Sequence, residues 1–302
     1  MAFWRIKWIL IISIYTVKKK TFSQITLPKN AKIGIAAKNL KTNKTFFLNE
    51  NKEFGTASVI KIAIALTLFK KAEEGKLDLY NVQKLRQDEI FDAGLGDCGI
   101  LKYFEPKSGI SLYNTCLLML ALSDNTATNL VLRFVKKEEV NALLKKYNFK
   151  NTKLTVDKLS LKLIQEPTNY VGTSTPKEFM AILEGIISHR FLSAKHSEAI
   201  LQMMSLQQIN HKIPRILPTV KNYTDKQAEI KGIDSKTGEL SVAKISNDVA
   251  TINTKDNQKI IMAIFTQNIV DKNKGLKTAS IDHASAQFIA ATAYSLYNNL
   301  KE

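Results

Sequence analysis

Strand-like segments at both ends of the chain bracket a long run of helix-like sequence. That order constrains the fold more than any other feature. Ile33 to Lys38 (IGIAAK) and Lys44 to Leu48 (KTFFL) read as strands, joined by the polar turn Asn39-Leu40-Lys41-Thr42-Asn43. A helical block follows. Ser58 to Glu74 is apolar at helical spacing and stops at Gly75. Leu112 to Leu122 and Asn125 to Val135 read as two more helices, meeting at Ser123-Asp124. Thr175-Pro176 opens another, because Thr caps a helix and Pro suits its first turn. Ser193 to Met204 continues the block.

Strands then return. Ala228 to Asp234 runs into an expected turn at Lys236-Thr237-Gly238. Val249 to Asn253 and Lys259 to Gln267 are joined by the turn Lys255-Asp256-Asn257. An Ala-rich helix, Ser280 to Leu300, closes the chain. Strands this far apart can share one antiparallel sheet only if the helical block is an insertion between them. The expected fold is therefore α/β (α+β): an antiparallel sheet flanked by helices, plus an all-helical lobe. The expected sheet lobe covers about 25–57 and 220–302, and the helical lobe about 58–219.

Residues 1–24 stand apart from that domain. Arg5 and Lys7 precede the apolar run Trp8 to Tyr15, and Lys18-Lys19-Lys20 follows. This resembles a secretory signal or a short anchor and is too short for a comfortable spanning helix. An exported protein is expected, periplasmic or extracellular, with membrane association through residues 8–17 left open.

Composition excludes other classes. With 45% apolar and 24% charged residues the chain has enough apolar side chains for a sizeable core. The net charge is +17, but lysines scattered among asparagines supply the excess. Nucleic-acid readers favour the planar fork of arginine, so no nucleic-acid partner is expected. The four histidines lie far apart and the two cysteines, Cys98 and Cys116, form no cluster, so no metal and no other cofactor is expected.

Three short motifs carry chemistry. Ser58-Val59-Ile60-Lys61 puts a hydroxyl and an amine three residues apart, on one side of a helix. A lysine there can take the serine proton if burial or a nearby cation lowers its pKa. The same S-x-x-K spacing recurs at Ser174, which sits by a helix cap and reads as a capping residue, and at Ser241, in an expected strand. Only Ser58 opens a long apolar helix. Ser123-Asp124-Asn125 and Lys236-Thr237-Gly238 each occur once. Taken alone, the first reads as a helix cap and the second as a hairpin turn.

Taken together, S-x-x-K, S-D-N and K-T-G in this order mark class A β-lactamases and penicillin-binding proteins. Over roughly residues 30–300 the sequence resembles that superfamily, and within it the class A β-lactamases. Ala57 to Ala65, Ser123 to Leu130 and Asn247 to Ala250 add to the likeness. The resemblance implies a nucleophile at Ser58, activated by Lys61, and a proton passed by Ser123 to the leaving nitrogen. It implies a substrate-binding set of Asn125, Asn169, Lys236, Thr237, Gly238 and Glu239. The backbone N–H groups of Ser58 and Glu239 would form the oxyanion hole. The implied ligand is a small β-lactam or a peptidoglycan-like acyl group, and a monomer is expected.

The sequence also departs from the family pattern. Class A enzymes release the acyl group with a loop Glu and an Asn four residues later. Here Glu166 is the implied base, but Asn169 follows at three, in a shortened loop. The family disulfide would join the positions of Cys116 and Ala65, so it is absent. Cys98 falls in a glycine-rich loop expected to edge the cleft. The cation that supports the substrate carboxylate is expected at Lys244 or Arg215. If Glu166 does not reach the site, a slowly released penicillin-binding D,D-peptidase-like protein is the alternative.

Overall fold

The computed structural model describes residues 30–92, 98–105, 107–166, 170–218, 230–240, 244–269 and 283–301. The N-terminal segment, Asn169, the S-x-x-K serine Ser241 and most of the Gly94–Gly99 loop lie outside these residues.

Five strands form the main sheet, in the order β2-β1-β10-β9-β8. These are β1 (Lys32–Asn39), β2 (Thr45–Leu48), β8 (Ile230–Leu240), β9 (Ile245–Thr254) and β10 (Lys259–Gln267). All pairings are antiparallel. The two ends of the chain thus meet where β1 pairs with β10, Ile35 opposite Ile264. This is the α/β sheet with an inserted helical block that the strand order predicts.

Central β10 is buried on both faces, so it reads as an unbroken apolar run rather than an alternating one. Its residues still divide by parity. Ile261, Ala263 and Phe265 join the core shared with the helical block. Ile260, Met262 and Ile264 face the C-terminal helix, where Phe288, Ile289, Leu296 and Tyr297 cover them.

The inserted block begins with β3 (Phe54–Gly55), a 3₁₀ turn (Ala57–Ile60) and helix α1 (Lys61–Glu73). Every residue of α1 from Lys61 to Phe69 is buried, as in a helix that is apolar all round and lies inside a lobe. Around it lie β4 (Val82–Lys84), β5 (Gly109–Ser111), α2 (Leu112–Ala121), α3 (Asn125–Phe134) and α4 (Lys137–Lys146). Next come β6 (Lys153–Leu154), the short α5 (Leu161–Gln165), β7 (Gly172–Ser174), α6 (Pro176–Ile187) and α7 (Ala194–Ser205). The last helix is α8 (Ala284–Leu300). Thr175 caps α6 with Pro176 at its start, as the sequence predicts.

Two expectations need correction. Lys236-Thr237-Gly238 is not a turn but lies within β8, paired with Val249, Asp248 and Asn247 of β9. Cross-strand pairing overrides the turn preference of the lone glycine. Ser174 does not cap α6: its hydroxyl meets Thr152 Oγ1 at 2.7 Å and the Thr175 carbonyl at 3.2 Å. Among the described residues no helix is long and apolar enough to cross a membrane.

Candidate active site

The nucleophile candidate sits at a strained corner. Ala57 has φ +47°, a left-handed conformation that costs a residue with a Cβ about 1–3 kcal/mol. It turns the chain from β3 into the 3₁₀ segment that carries Ser58. In a 3₁₀ turn residues i and i+3 eclipse, so Ser58 and Lys61 are stacked on one face. Ser58 is half-buried, and among the described residues its hydroxyl makes no side-chain hydrogen bond.

Lys61 is fully buried and donates to three oxygens: the Ser123 carbonyl at 2.7 Å, Asn125 Oδ1 at 2.8 Å and Ser123 Oγ at 3.3 Å. The contact to Ser123 Oγ is the longest of these and is reversible. If the lysine is neutral, the Ser123 hydroxyl can donate to its lone pair. This contact gives a proton route from Lys61 to Ser123. Ser123 is itself held at φ +57°, a second left-handed residue beside the site.

Asp124 fixes this arrangement. Its carboxylate accepts from Ala127 N at 2.8 Å, capping α3, and from Ile100 N at 2.7 Å and Leu101 N at 2.8 Å. The expected cap is therefore present, but it also straps the segment after Cys98 to the Ser123-Asn125 corner. Gly99 allows the approach: it has φ +103°, and a Cβ there would overlap the Asp124 carboxylate.

Across from this corner, β8 packs on the 3₁₀ turn that carries Ser58. Lys236 projects from β8, fully buried, and donates to the Leu120 carbonyl at 2.9 Å. Among the described residues that is its one hydrogen-bond acceptor, so an ammonium there has donors to spare. Burial pushes Lys236 well below the usual lysine range, the charges of Lys61 and Lys212 push the same way, and Cys98 and Asp248 oppose them. The neighbourhood thus gathers three buried amines, and Lys236 is the one with donors to spare among the described residues, which suits it to an anion.

Sequence reasoning missed the roles of three residues that build this wall. Lys212 is a buried lysine whose Nζ donates to the Asn247 carbonyl at 3.1 Å, whereas Lys244 and Arg215, the two cations expected near the substrate carboxylate, are exposed. Asn247 donates to the Gly55 and Thr56 carbonyls at 2.8 and 3.2 Å and accepts from Thr266 N at 3.0 Å, tying β9 to the strand that leads into Ser58. Asp248 accepts from Thr237 Oγ1 at 3.0 Å. The Asn247-Asp248 pair is visible as part of a familiar stretch, but Lys212 gives no signal in a lysine-rich chain.

The remaining predicted residues are less gathered. Gly238 and Glu239 lie on β8 beyond Thr237, opposite Asn247 and Ser246. Glu166 follows α5 and is exposed; among the described residues it makes no hydrogen bond or ion pair. Its loop ends beside the site, where Tyr170 packs against Ala57 and Ile245 and its hydroxyl accepts from Gln267 Nε2 at 3.1 Å. Among the described residues neither Cys98 nor Cys116 is in a disulfide, and Cys116 is buried in the helical core.

The buried amines carry a cost in stability. A lysine whose pKa is depressed by folding binds fewer protons folded than unfolded, so wild-type stability rises with pH up to the free-lysine range. Replacing Lys236 by methionine is expected to stabilise the fold by about 1–3 kcal/mol near pH 6, with a smaller gain at pH 9. Thermal melts at the two pH values check both the sign and the trend.

Comparison with known proteins agrees with this geometry. Residues 18–299 match the family described as the beta-lactamase enzyme family. The beta-lactamases CARB-3 and PSE-4 of Pseudomonas aeruginosa are each 23% identical over 230 residues, spanning 72% of this chain and 77% of theirs. The fold is similar to a beta-lactamase from Sphaerobacter thermophilus, with a TM-score of 0.78 and 22% identity over 97% of both chains. It is also similar to a mutant of PBP-A solved as an acyl-enzyme complex with penicillin G, with a TM-score of 0.75 and 21% identity over 97% of this chain and 96% of that one. A match across nearly the whole chain, with the three motifs meeting at one buried corner, means that this protein belongs to the beta-lactamase enzyme family, as a class A β-lactamase-like member.

Proposed function

We propose that the chain is an exported serine hydrolase that opens the β-lactam ring of penicillins and cephalosporins through an acyl-enzyme on Ser58. The observation that carries this reading is Lys236, a fully buried lysine with spare donors, close enough to Lys61 for their charges to act on each other, while Lys61 touches Ser123. An anionic acyl substrate supplies a further acceptor for the amine, beside the Leu120 carbonyl.

The steps follow from the contacts. Lys61 takes the Ser58 proton, and Ser58 Oγ bonds to the lactam carbonyl carbon. The backbone N–H groups of Ser58 and Glu239 stabilise the oxyanion. The ring C–N bond breaks, and the proton passes from Lys61 through Ser123 to the leaving nitrogen. Lys236 and Thr237 hold the carboxylate, and Asn125 holds the side-chain amide. A water deprotonated by Glu166, with Asn169 beside it, then cleaves the ester, and the proton that Glu166 took returns to Ser58 Oγ as the acid leaves.

One observation favours a second reading. Glu166 is exposed and without a partner among the described residues. A base left in solvent releases the acyl group slowly, and the protein then acts as a penicillin-binding acceptor. Glu166→Gln separates the two. In the hydrolase, hydrolysis of a chromogenic cephalosporin should fall by about 100-fold or more in this variant, and acyl-enzyme should accumulate. If the wild type already accumulates acyl-enzyme and the variant matches it, the acceptor reading holds.

A further inference from the structure

Thr237 has one hydroxyl proton to give. In the structure it goes to Asp248 Oδ1, at 3.0 Å, across the β8–β9 pair. That is an odd use for a residue expected to grip a carboxylate. While Thr237 donates to Asp248, its oxygen can offer an incoming anion only lone pairs.

Asp248 is fully buried, and its two oxygens are not equivalent. Oδ2 accepts the backbone N–H of Ile213 at 2.9 Å, a group that can only donate. A proton added to Asp248 is therefore best placed on Oδ1, which leaves Oδ2 as the carbonyl oxygen that accepts from Ile213. From there it donates to Thr237 Oγ1, and the Thr237 proton is released toward the ligand. Burial raises the Asp248 pKa to about 6, while the charge of Lys212, the Ile213 N–H, the Thr237 hydroxyl and the charge of His211 oppose the rise. Lys236 is the titratable neighbour on β8, and Ile264, opposite Asp248 on β10, brings no charge.

Resting on the acyl-site reading above, we propose that binding of an anionic carboxylate at Thr237 draws a proton from solvent onto Asp248, so that Asp248 is a positioning residue that sets which way the Thr237 hydroxyl points. Two carboxylates cannot share one hydroxyl proton, and solvent supplies the missing one. Affinity for the anion then weakens as pH rises through the range in which free Asp248 ionises.

The test is calorimetric titration of benzylpenicillin into the full chain carrying Ser58→Ala, which removes the nucleophile. Repeating it in buffers of different ionisation enthalpy counts the protons taken up. The expected result is uptake of about one proton per ligand at pH 7, with affinity falling about tenfold per pH unit above the Asp248 range. Adding Asp248→Asn should abolish uptake and flatten the pH profile, because its amide can donate permanently to Thr237. Thr237→Val, which has no hydroxyl to reorient, should abolish uptake as well, and it serves if the Asn variant does not fold. Binding without uptake overturns the inference and leaves the acyl site standing. Uptake that persists in either double variant assigns the proton to the buried lysines and also overturns it. No binding between pH 5 and 8 sinks the β-lactam reading itself, and the inference with it.

Discussion

Lys61→Ala should slow acylation of Ser58 by about three orders of magnitude, within the range for loss of a positioned general base. The expectation comes from geometry. Lys61 is eclipsed with Ser58 on the 3₁₀ turn and touches Ser123 at 3.3 Å, so removing it breaks the proton route at both ends. It also leaves the Ser123 carbonyl and Asn125 Oδ1 without the Lys61 donor. Stability should change little, because the loss of these bonds is offset by removal of a buried charge that repels Lys236. Lys61→Arg sharpens the test. Arginine keeps the charge but does not deprotonate in proteins, so it cannot serve as a base. A rate as low as that of Lys61→Ala assigns proton transfer to Lys61; recovery to near wild type reduces its role to charge. Rapid-mixing measurement of ester formation on Ser58 reads both variants.

The second large effect is on the fold. Asp124→Ala is expected to cost about 3–5 kcal/mol, since it strips acceptors from three N–H groups, two on the Ile100-Leu101 strap and one at the start of α3. That is a large share of the stability of an ordinary domain. Asp124→Asn keeps one oxygen for the strap and should cost about half as much or less. Urea unfolding of the two variants gives the comparison. The strap should fail first, so protease cleavage near residues 98–104 in Asp124→Ala, while the rest stays folded, is the local signature. Equal losses in both variants would mean the carboxylate acts only as a helix cap.

These residues are not equally legible in the sequence. Ser58 and Lys61 declare themselves because they are three apart on a buried helix start, where spacing alone fixes their relation. Ser123-Asp124-Asn125 reads as a cap, and it is one. Spacing does not reveal that the same carboxylate reaches back to Ile100 and Leu101, a contact made only by the tertiary fold. Lys236-Thr237-Gly238 looks like a turn because its residues favour turns locally; pairing with β9 holds it extended. Helix α4 escapes notice because it buries only Val140 and Leu144, which leaves little apolar periodicity. Lys212 is hidden by composition: one lysine among many, distinguished only by being buried against Asn247. The sheet itself is readable from strand order, since β1 and β10 have no other way to cover their apolar faces.

The most direct test of Ser58 acylation is a time course of intact mass for the full chain mixed with benzylpenicillin, with Ser58→Ala alongside. The expected result is a covalent adduct that maps to Ser58, is absent in the variant, and decays with release of the ring-opened acid. An unmodified chain with unchanged penicillin would contradict the proposed chemistry, and so would an adduct that survives Ser58→Ala.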